Sequence, residues 1–384
     1  MAANYLPYEP QQMLLLPEAI QDWLAEGHLA HFIGDTVDTL DLSALHARYD
    51  KDGPRNQPFH PAMMVKVLVY GYATGVFSSR KIARKLHEDV AFRVLAAGNF
   101  PAHRTIREFR AFHLKELSEL FVQVVRLARE MGLVRLGTIA VDGTKLKANA
   151  SRHKAMSYGH MVKAEAELKA QIEVLLNKAR AADETEPKDG RYKRPFGVPE
   201  DKDQDNFTDP DSRIMPRAGG GFDPAYNAQT AVDETAHIIV AAELINNASD
   251  ARELPTRVAA VKDALGAYPE QTLADAGYRS EAVFEALAGC TELVVAIGRE
   301  DKEHRAINEA SLPLTAAMVT KMKTQPAREA YRRRKWLAEP PNGWIKNVLG
   351  FRQFSMRGLH RVQAEWKLVC LALNLRRMAT MQVA

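Results

Sequence analysis

The pattern of apolar and polar positions reads as helical from residue 26 to 115. His60-Pro61 opens an almost unbroken apolar run, Ala62–Tyr72 (AMMVKVLVYGY), which predicts a buried helix. Gly75–Phe77 breaks it. Ser78-Ser79 is placed to cap a helix over Arg80–His87, and Thr105 to cap another over Ile106–Leu120. The pattern then changes. Leu136–Val141 is apolar and rich in strand formers, ends at Asp142, and predicts a turn at Gly143. Met161–Ala182 returns to helical spacing, with Glu and Lys between the apolar positions. Tyr226–Val232 and His237–Ile245 predict paired strands turning at Asp233–Thr235, and Ser249-Asp250 caps a helix to about Leu265. Gln271–Ala274 predicts a short strand ending at Asp275, Glu281–Ala288 a helix, and Glu292–Ile297 an apolar strand. After a charged connector, 299–325, a helix over Gln325–Ala338 meets Pro340-Pro341, which end or kink it. Val362–Met378 closes the chain as a helix.

Composition changes this picture little. The 384 residues are 46% hydrophobic and 26% charged, which suits two or three ordinary soluble domains. No apolar run reaches the roughly eighteen residues that a membrane helix needs, so no membrane partner is expected. The N-terminus lacks the charged and apolar regions of a signal peptide. Cys290 and Cys370 build neither a disulfide framework nor a zinc site, so a reducing, cytoplasmic compartment is expected.

Charge is more informative in its distribution than in its net value of +4. Asp183–Asp211 holds ten acids and five bases among four prolines, and reads as a mobile, solvated loop. Arg328–Arg361 holds nine cations and two acids, Glu329 and Glu339. The early helices carry Arg80, Arg84 and Arg107 on polar faces, which suits a helix-turn-helix-like DNA-binding unit. A bundle with solvated cations has the same pattern.

The acids give a sharper reading. A strand ends in Asp142; two more strands, a helix and a strand ending in Asp275 follow; then comes a helix bearing Glu339. That is the element order of a ribonuclease-H-like fold, a mixed α/β core. Three such carboxylates would suit phosphodiester cleavage, in which two Mg²⁺ ions about 3.5–4 Å apart stabilise the entering and leaving oxygens. Asp142 would bridge the ions, and Asp275 and Glu339 would each complete one shell. Alternatives stand beside each. Asp142-Gly143 also suits a hairpin turn, and Glu339 also suits a salt bridge. Glu365 lies on a late helix without cationic framing, Asp223 and Asp233 lie at turns, and Glu300 and Glu303 lie in the connector. Tyr331, Arg334 and Lys346 are placed to hold DNA phosphates. Trp336 and Trp344 offer stacking surfaces, though core packing is the commoner role for each.

These stretches resemble the bacterial insertion-sequence transposases of the DDE type, in the group with the YREK signature. The resemblance rests on Val141-Asp142-Gly143-Thr144, on Ala274-Asp275-Ala276-Gly277-Tyr278, and on Tyr331, Arg334, Glu339-Pro340 and Lys346. Gly350–Phe354 and Glu365–Leu375 also match the C-terminal end of these proteins, and the likeness spans about residues 10 to 377. One spacing departs from the signature: four residues, not three, separate Arg334 from Glu339. The resemblance implies a helical DNA-binding domain at 1–125 and a catalytic domain at 126–384 with 148–222 inserted. It implies Mg²⁺-dependent cleavage at terminal inverted repeats, with Mn²⁺ as a substitute, then joining of 3′-hydroxyl ends to target DNA. It implies double-stranded DNA as partner and a homodimer on that DNA. A catalytically silent DNA-binding relative and a metal-dependent nuclease without strand transfer are the rival readings.

Overall fold

Among the described residues of the computed structural model, the elements before residue 131 are helices, and the main sheet begins at residue 138. The structure describes residues 19–49, 57–151, 155–157, 161, 163, 165–167, 169, 204–216, 220–298 and 307–382. The expected Met161–Ala182 helix, the acidic loop to residue 203 and the start of the 299–325 connector lie largely or wholly outside those residues.

The helices are α1 (Leu29–Thr39), α2 (Ser43–His46), α3 (Pro61–Ala73), α4 (Ser79–Glu88), α5 (Val90–Leu95), α6 (His103–Phe112) and α7 (Leu114–Glu130). The long apolar run forms α3, which is buried nearly all round. Its proline occupies the first turn, where the missing N–H costs nothing. Two expected boundaries move. Thr105 lies inside α6 and not at its cap. The helix expected over Ile106–Leu120 divides at His113, whose φ of −104° and ψ of 35° leave the helical region. The His113 ring is fully buried and hydrogen-bonds the Tyr49 hydroxyl at 2.9 Å.

The strands are β1 (Thr138–Lys147), β2 (Ala155–Ser157), β3 (Gln204–Asn206), β4 (Arg213–Pro216), β5 (Phe222–Asp233), β6 (Ile239–Ile245), β7 (Gln271–Ala274) and β8 (Glu292–Val295). β2 and β3 pair apart from the rest. In the main sheet β5 runs antiparallel to β1, and β4 and β6 both line its other edge. β7 lies parallel to β1 on the opposite side, and β8 parallel to β7. A meander therefore precedes the parallel strands, as the element order implied. β1 does not turn at Gly143. It continues to Lys147 because Gly143 and the residues after it stay paired with β5, from Gln229 to Ala225. The hairpin-turn reading of Asp142-Gly143 is thereby excluded.

Helices α8 (Leu254–Leu265) and α9 (Glu281–Ala286) connect β6 to β7 and β7 to β8; α10 (Pro313–Lys323), α11 (Gln325–Gly343) and α12 (Leu359–Gln382) follow. Side chains alternate across a strand, so each face of β1 has its own neighbours. Ile139 and Val141 join the large core that also takes residues of α3, α7, α8 and α12. Ala140 instead joins Leu273 of β7, Val294 of β8, and Ala327, Ala330, Leu337 and Ala338 of α11. Trp366 of α12 is fully buried in the large core; truncating such a residue to alanine costs about 3–5 kcal/mol.

Candidate functional site

The same alternation fixes the acids. Asp142 follows Ala140 by two residues and Asp275 follows Leu273 by two, so both belong on the face that α11 covers. Val141 pairs with Ala274 in parallel register, which places the two aspartates side by side, Asp142 within β1 and Asp275 just past the end of β7. Asp275 also accepts a hydrogen bond from the Gly277 amide at 2.8 Å, which closes a short turn, Ala276–Tyr278.

Above them, the buried side of α11 presents Arg334, Ala338 and Asn342 at successive helical turns. An Arg334 guanidinium nitrogen lies 3.5 Å from one Asp142 oxygen. The Asn342 amide donates toward the other oxygen at 3.3 Å. Tyr331 lies beneath the Arg334 guanidinium, 5.7 Å from ring centre to carbon. Past α11 the backbone forms a π turn, Trp344–Val348, and Lys346 on that turn donates to the Thr144 hydroxyl of β1. Asp142, Asp275, Tyr331, Arg334 and Lys346, all singled out from the sequence, thus meet at one place.

Glu339 does not meet them. It is exposed, whereas the adjacent Ala338 is buried against the sheet. The cause is helical phase. Each residue adds about 100°, so a side chain five positions after Arg334 points well away from the face that Arg334 occupies. The helix was also expected to end or kink at Pro340-Pro341, but α11 carries both prolines inside it and runs to Gly343.

Burial pushes the Asp142 carboxyl up to about 6; Arg334 opposes that rise, while Asp275 and Asp250 add to it. Burial also lowers the Lys346 ammonium, against the pull of Asp142. Two buried polar atoms at the site, Arg334 Nε and Asn342 Oδ1, have no hydrogen-bond partner. Such orphans are costly in a finished core and mark a place where a ligand can complete the polar contacts. Among the described residues no group of three or more His, Cys, Asp or Glu side chains could hold a metal ion. The adjacent aspartates nonetheless offer hard oxygen donors, and the unpaired Asn342 oxygen offers another, which suits Mg²⁺ or Mn²⁺.

The remaining sequence candidates lie elsewhere. Arg80 is exposed on α4; Arg84, also on α4, pairs with Glu88 at 3.4 Å, and Arg107 on α6 pairs with Glu108 at 3.3 Å. Trp336 and Trp344 are not core residues. Trp336 is 60% exposed against the His237 ring, and Trp344 lies under the Arg376 guanidinium. Glu365 does have a cation beside it, since Arg110 lies 3.6 Å away in the helical region. Asp250 is not a helix cap, because α8 starts at Leu254. Its carboxylate instead accepts from Asn227 at 2.5 Å, Gln229 at 2.6 Å and Lys145 at 3.5 Å.

Asn342, Thr144, Asn227, Gln229 and Asp250 were not identified from the sequence as parts of this site. Asn227 and Gln229 did carry a signal, as two amide side chains at alternate positions of one strand. Asn342 could be found only by counting helical turns from Arg334.

No curated protein matches the chain. Residues 136–375 match the family described as the transposase DDE domain, and residues 18–111 match a second family, a transposase domain (DUF772). Among solved structures, a Mos1 strand transfer complex overlaps at 12% identity, covering 84% of this chain and 81% of that one, with a TM-score of 0.19. A Mos1 transposase paired-end complex with the left transposon end overlaps at 13% identity, covering 86% of each chain, also with a TM-score of 0.19. Overlaps this slight carry no argument about fold or function.

Proposed function

The chain belongs to the transposase DDE domain family, and from that premise we propose that it is a DNA transposase of the YREK-signature group that cuts and joins DNA ends at Asp142 and Asp275. The observation that carries the reading is the placement of these two acids side by side beneath Arg334 and Asn342. The meander followed by parallel strands supports a ribonuclease-H-like core. The helices up to about residue 125, with Arg80, Arg84 and Arg107 exposed, are assigned to binding the inverted-repeat ends.

Asp142, Asp275 and Glu339 would hold Mg²⁺ or Mn²⁺, which when bound stabilises negative charge on the entering and leaving oxygens. Arg334 and Lys346 would hold non-bridging phosphate oxygens of the scissile nucleotide, and Tyr331 fixes the Arg334 side chain. Water attacks the phosphorus, the P–O3′ bond breaks, and the 3′-oxygen leaves as a hydroxyl. That hydroxyl then attacks a phosphorus of target DNA and displaces the target's own 3′-oxygen, so one bond forms for each that breaks. Because two element ends must be paired, the working unit on DNA is assigned as a homodimer.

Glu339 reaches this arrangement by a one-residue shift of helical register, about 100°, into the position of Ala338. The adjoining prolines and π turn favour such a shift. Proline withholds the N–H that would secure the preceding turn, and π turns recur where helices serve a site.

The test uses purified protein, Mg²⁺, a duplex bearing the inverted repeat beside its gene, and a target plasmid. Joined product from the wild-type chain, absent for Asp275→Asn and Glu339→Gln, is the expected result. Hydrolysis without joined product would favour a nuclease, and binding without cleavage a silent relative.

A further inference from the structure

Behind the acids, on the other face of β1, lies a polar hub that the proposed chemistry does not use. Gly143 and Lys145 point there, opposite Gln229 and Asn227 of β5. Both amide side chains are buried and both donate to the same Asp250 oxygen. Gln229 also donates to the Asn227 side-chain oxygen at 3.0 Å, and Gln229 Oε1 accepts from the buried Tyr278 hydroxyl. Tyr278 stands three residues after Asp275, in the turn that Asp275 itself caps.

The two glycines beside the acids show how closely this hub approaches. A Cβ on Gly143 would meet Gln229 Nε2 at 2.4 Å and an Asp250 oxygen at 3.0 Å. A Cβ on Gly277 would lie 3.5 Å from the other Asp250 oxygen. Neither glycine has a positive φ; Gly143 is needed for the space the hub takes, while at Gly277 the tight neighbour is Asp275 Oδ1 at 2.9 Å and Asp250 is in ordinary contact. One carboxylate therefore abuts the residue after Asp142 and the residue two after Asp275.

We propose that Asp250 is a positioning residue that sets the spacing of Asp142 and Asp275 through Asn227, Gln229 and Tyr278. The inference rests on the reading of those two aspartates as the metal-holding pair. Asp250 gathers two strand amides at one oxygen, each keeping a second acceptor, the Asn247 carbonyl at 3.2 Å for Asn227 and the Asn227 oxygen at 3.0 Å for Gln229, and the Gln229–Tyr278 bond carries that restraint to the Asp275 turn. Removing its charge loosens the middle of β1 and the turn after β7 without deleting a ligand. Loss of such an outer partner weakens metal binding roughly ten- to a hundred-fold.

The experiment titrates Mn²⁺ into the full-length chain and reads the free ion by electron paramagnetic resonance, with melting temperature measured in parallel. Wild type binds, and Asp142→Asn does not; retained binding in Asp142→Asn would sink the underlying reading rather than this one. Asp250→Asn is expected to bind about ten-fold or more weakly, yet measurably. Asn227→Ala, which touches neither acid and serves if Asp250→Asn fails to fold, is expected to weaken binding in the same direction by a smaller factor. Unchanged Mn²⁺ affinity with a lowered melting temperature would make the hub purely structural and overturn the proposal. Complete loss of binding in a folded Asp250→Asn would also overturn it, by making Asp250 a ligand itself.

Discussion

Arg110 lies 3.6 Å from Glu365, and Arg334 lies 3.5 Å from Asp142. The two pairs are alike in length and chemistry, but their surroundings differ. The Glu365 side chain is fully buried and accepts from the Ser355 amide and hydroxyl, the Met356 amide and the Tyr72 hydroxyl, while Tyr72 in turn accepts from Arg110. This network ties α3 and α6 to α12, fastening the early helices to the chain's last one. Asp142 has longer contacts, an acidic neighbour and a carboxyl pushed up to about 6 by burial. Arg110 and Arg334 each leave Nε without a hydrogen-bond partner, so the two sites differ in their carboxylates, and beside Asp142 stands the unpaired Asn342 amide oxygen. A saturated carboxylate marks the pair that holds the fold, and an incompletely bonded one marks the pair we assign to chemistry.

The largest effect that sharpens this contrast belongs to the pair with the saturated carboxylate. Arg110→Ala leaves Glu365 buried without its cation and should cost about 3–5 kcal/mol, read from denaturant unfolding. A loss well under 1 kcal/mol would place the two pairs in one class. Gly143→Ala comes next. Its Cβ would crowd Gln229, and overpacking of this kind costs about 1–3 kcal/mol; an unchanged unfolding midpoint would show that the hub yields easily.

A smaller effect has the opposite sign. The folded Asp142 carboxyl titrates above its unfolded value of 3.8. The native state therefore binds the proton more tightly, and this group adds stability as pH falls through about 6 toward 3.8. Without divalent metal, Asp142→Asn should melt at or above the wild-type temperature at pH 7.5, with the gap narrowing below about pH 6 and closing near 3.8. A melting temperature lowered by the substitution at pH 7.5 would make Asp142 a structural acid like Glu365. The smallest effects belong to α4 and α6. Arg84→Ala and Arg107→Ala each remove only an exposed ion pair, so stability should change by about 0.5 kcal/mol or less. If each arginine meets a phosphate, the salt dependence of DNA binding should lose about one unit of slope per substitution. Unchanged slopes would leave their faces as ordinary solvated surface.

Local pattern made much of this legible. Asp142 and Asp275 were visible as the acids at which apolar strand runs stop, although only β7 ends there, and the meander followed from element order. What stayed hidden depended on phase and on partners distant in sequence. β1 continues past Gly143 because β5 pairs with it, and no local signal says so. Glu339 was read from its basic neighbours, but its direction depends on helical phase and on two prolines that the helix absorbs. Glu365 looked unframed because Arg110 is distant in sequence. Asp250 resembled a cap because Ser-Asp before a helix commonly is one, whereas its partners lie on strands that precede it.

The most direct test of the account is the single-turnover cleavage rate of a duplex bearing the inverted-repeat end, compared between wild type and Asp142→Asn at pH 7.5 with Mg²⁺. Loss of the acid assigned to hold the metal should remove several kcal/mol of transition-state stabilisation, a fall of about a thousand-fold or more, with the melting temperature preserved. Cleavage by Asp142→Asn at the wild-type rate would contradict the assignment of chemistry to this face of the sheet.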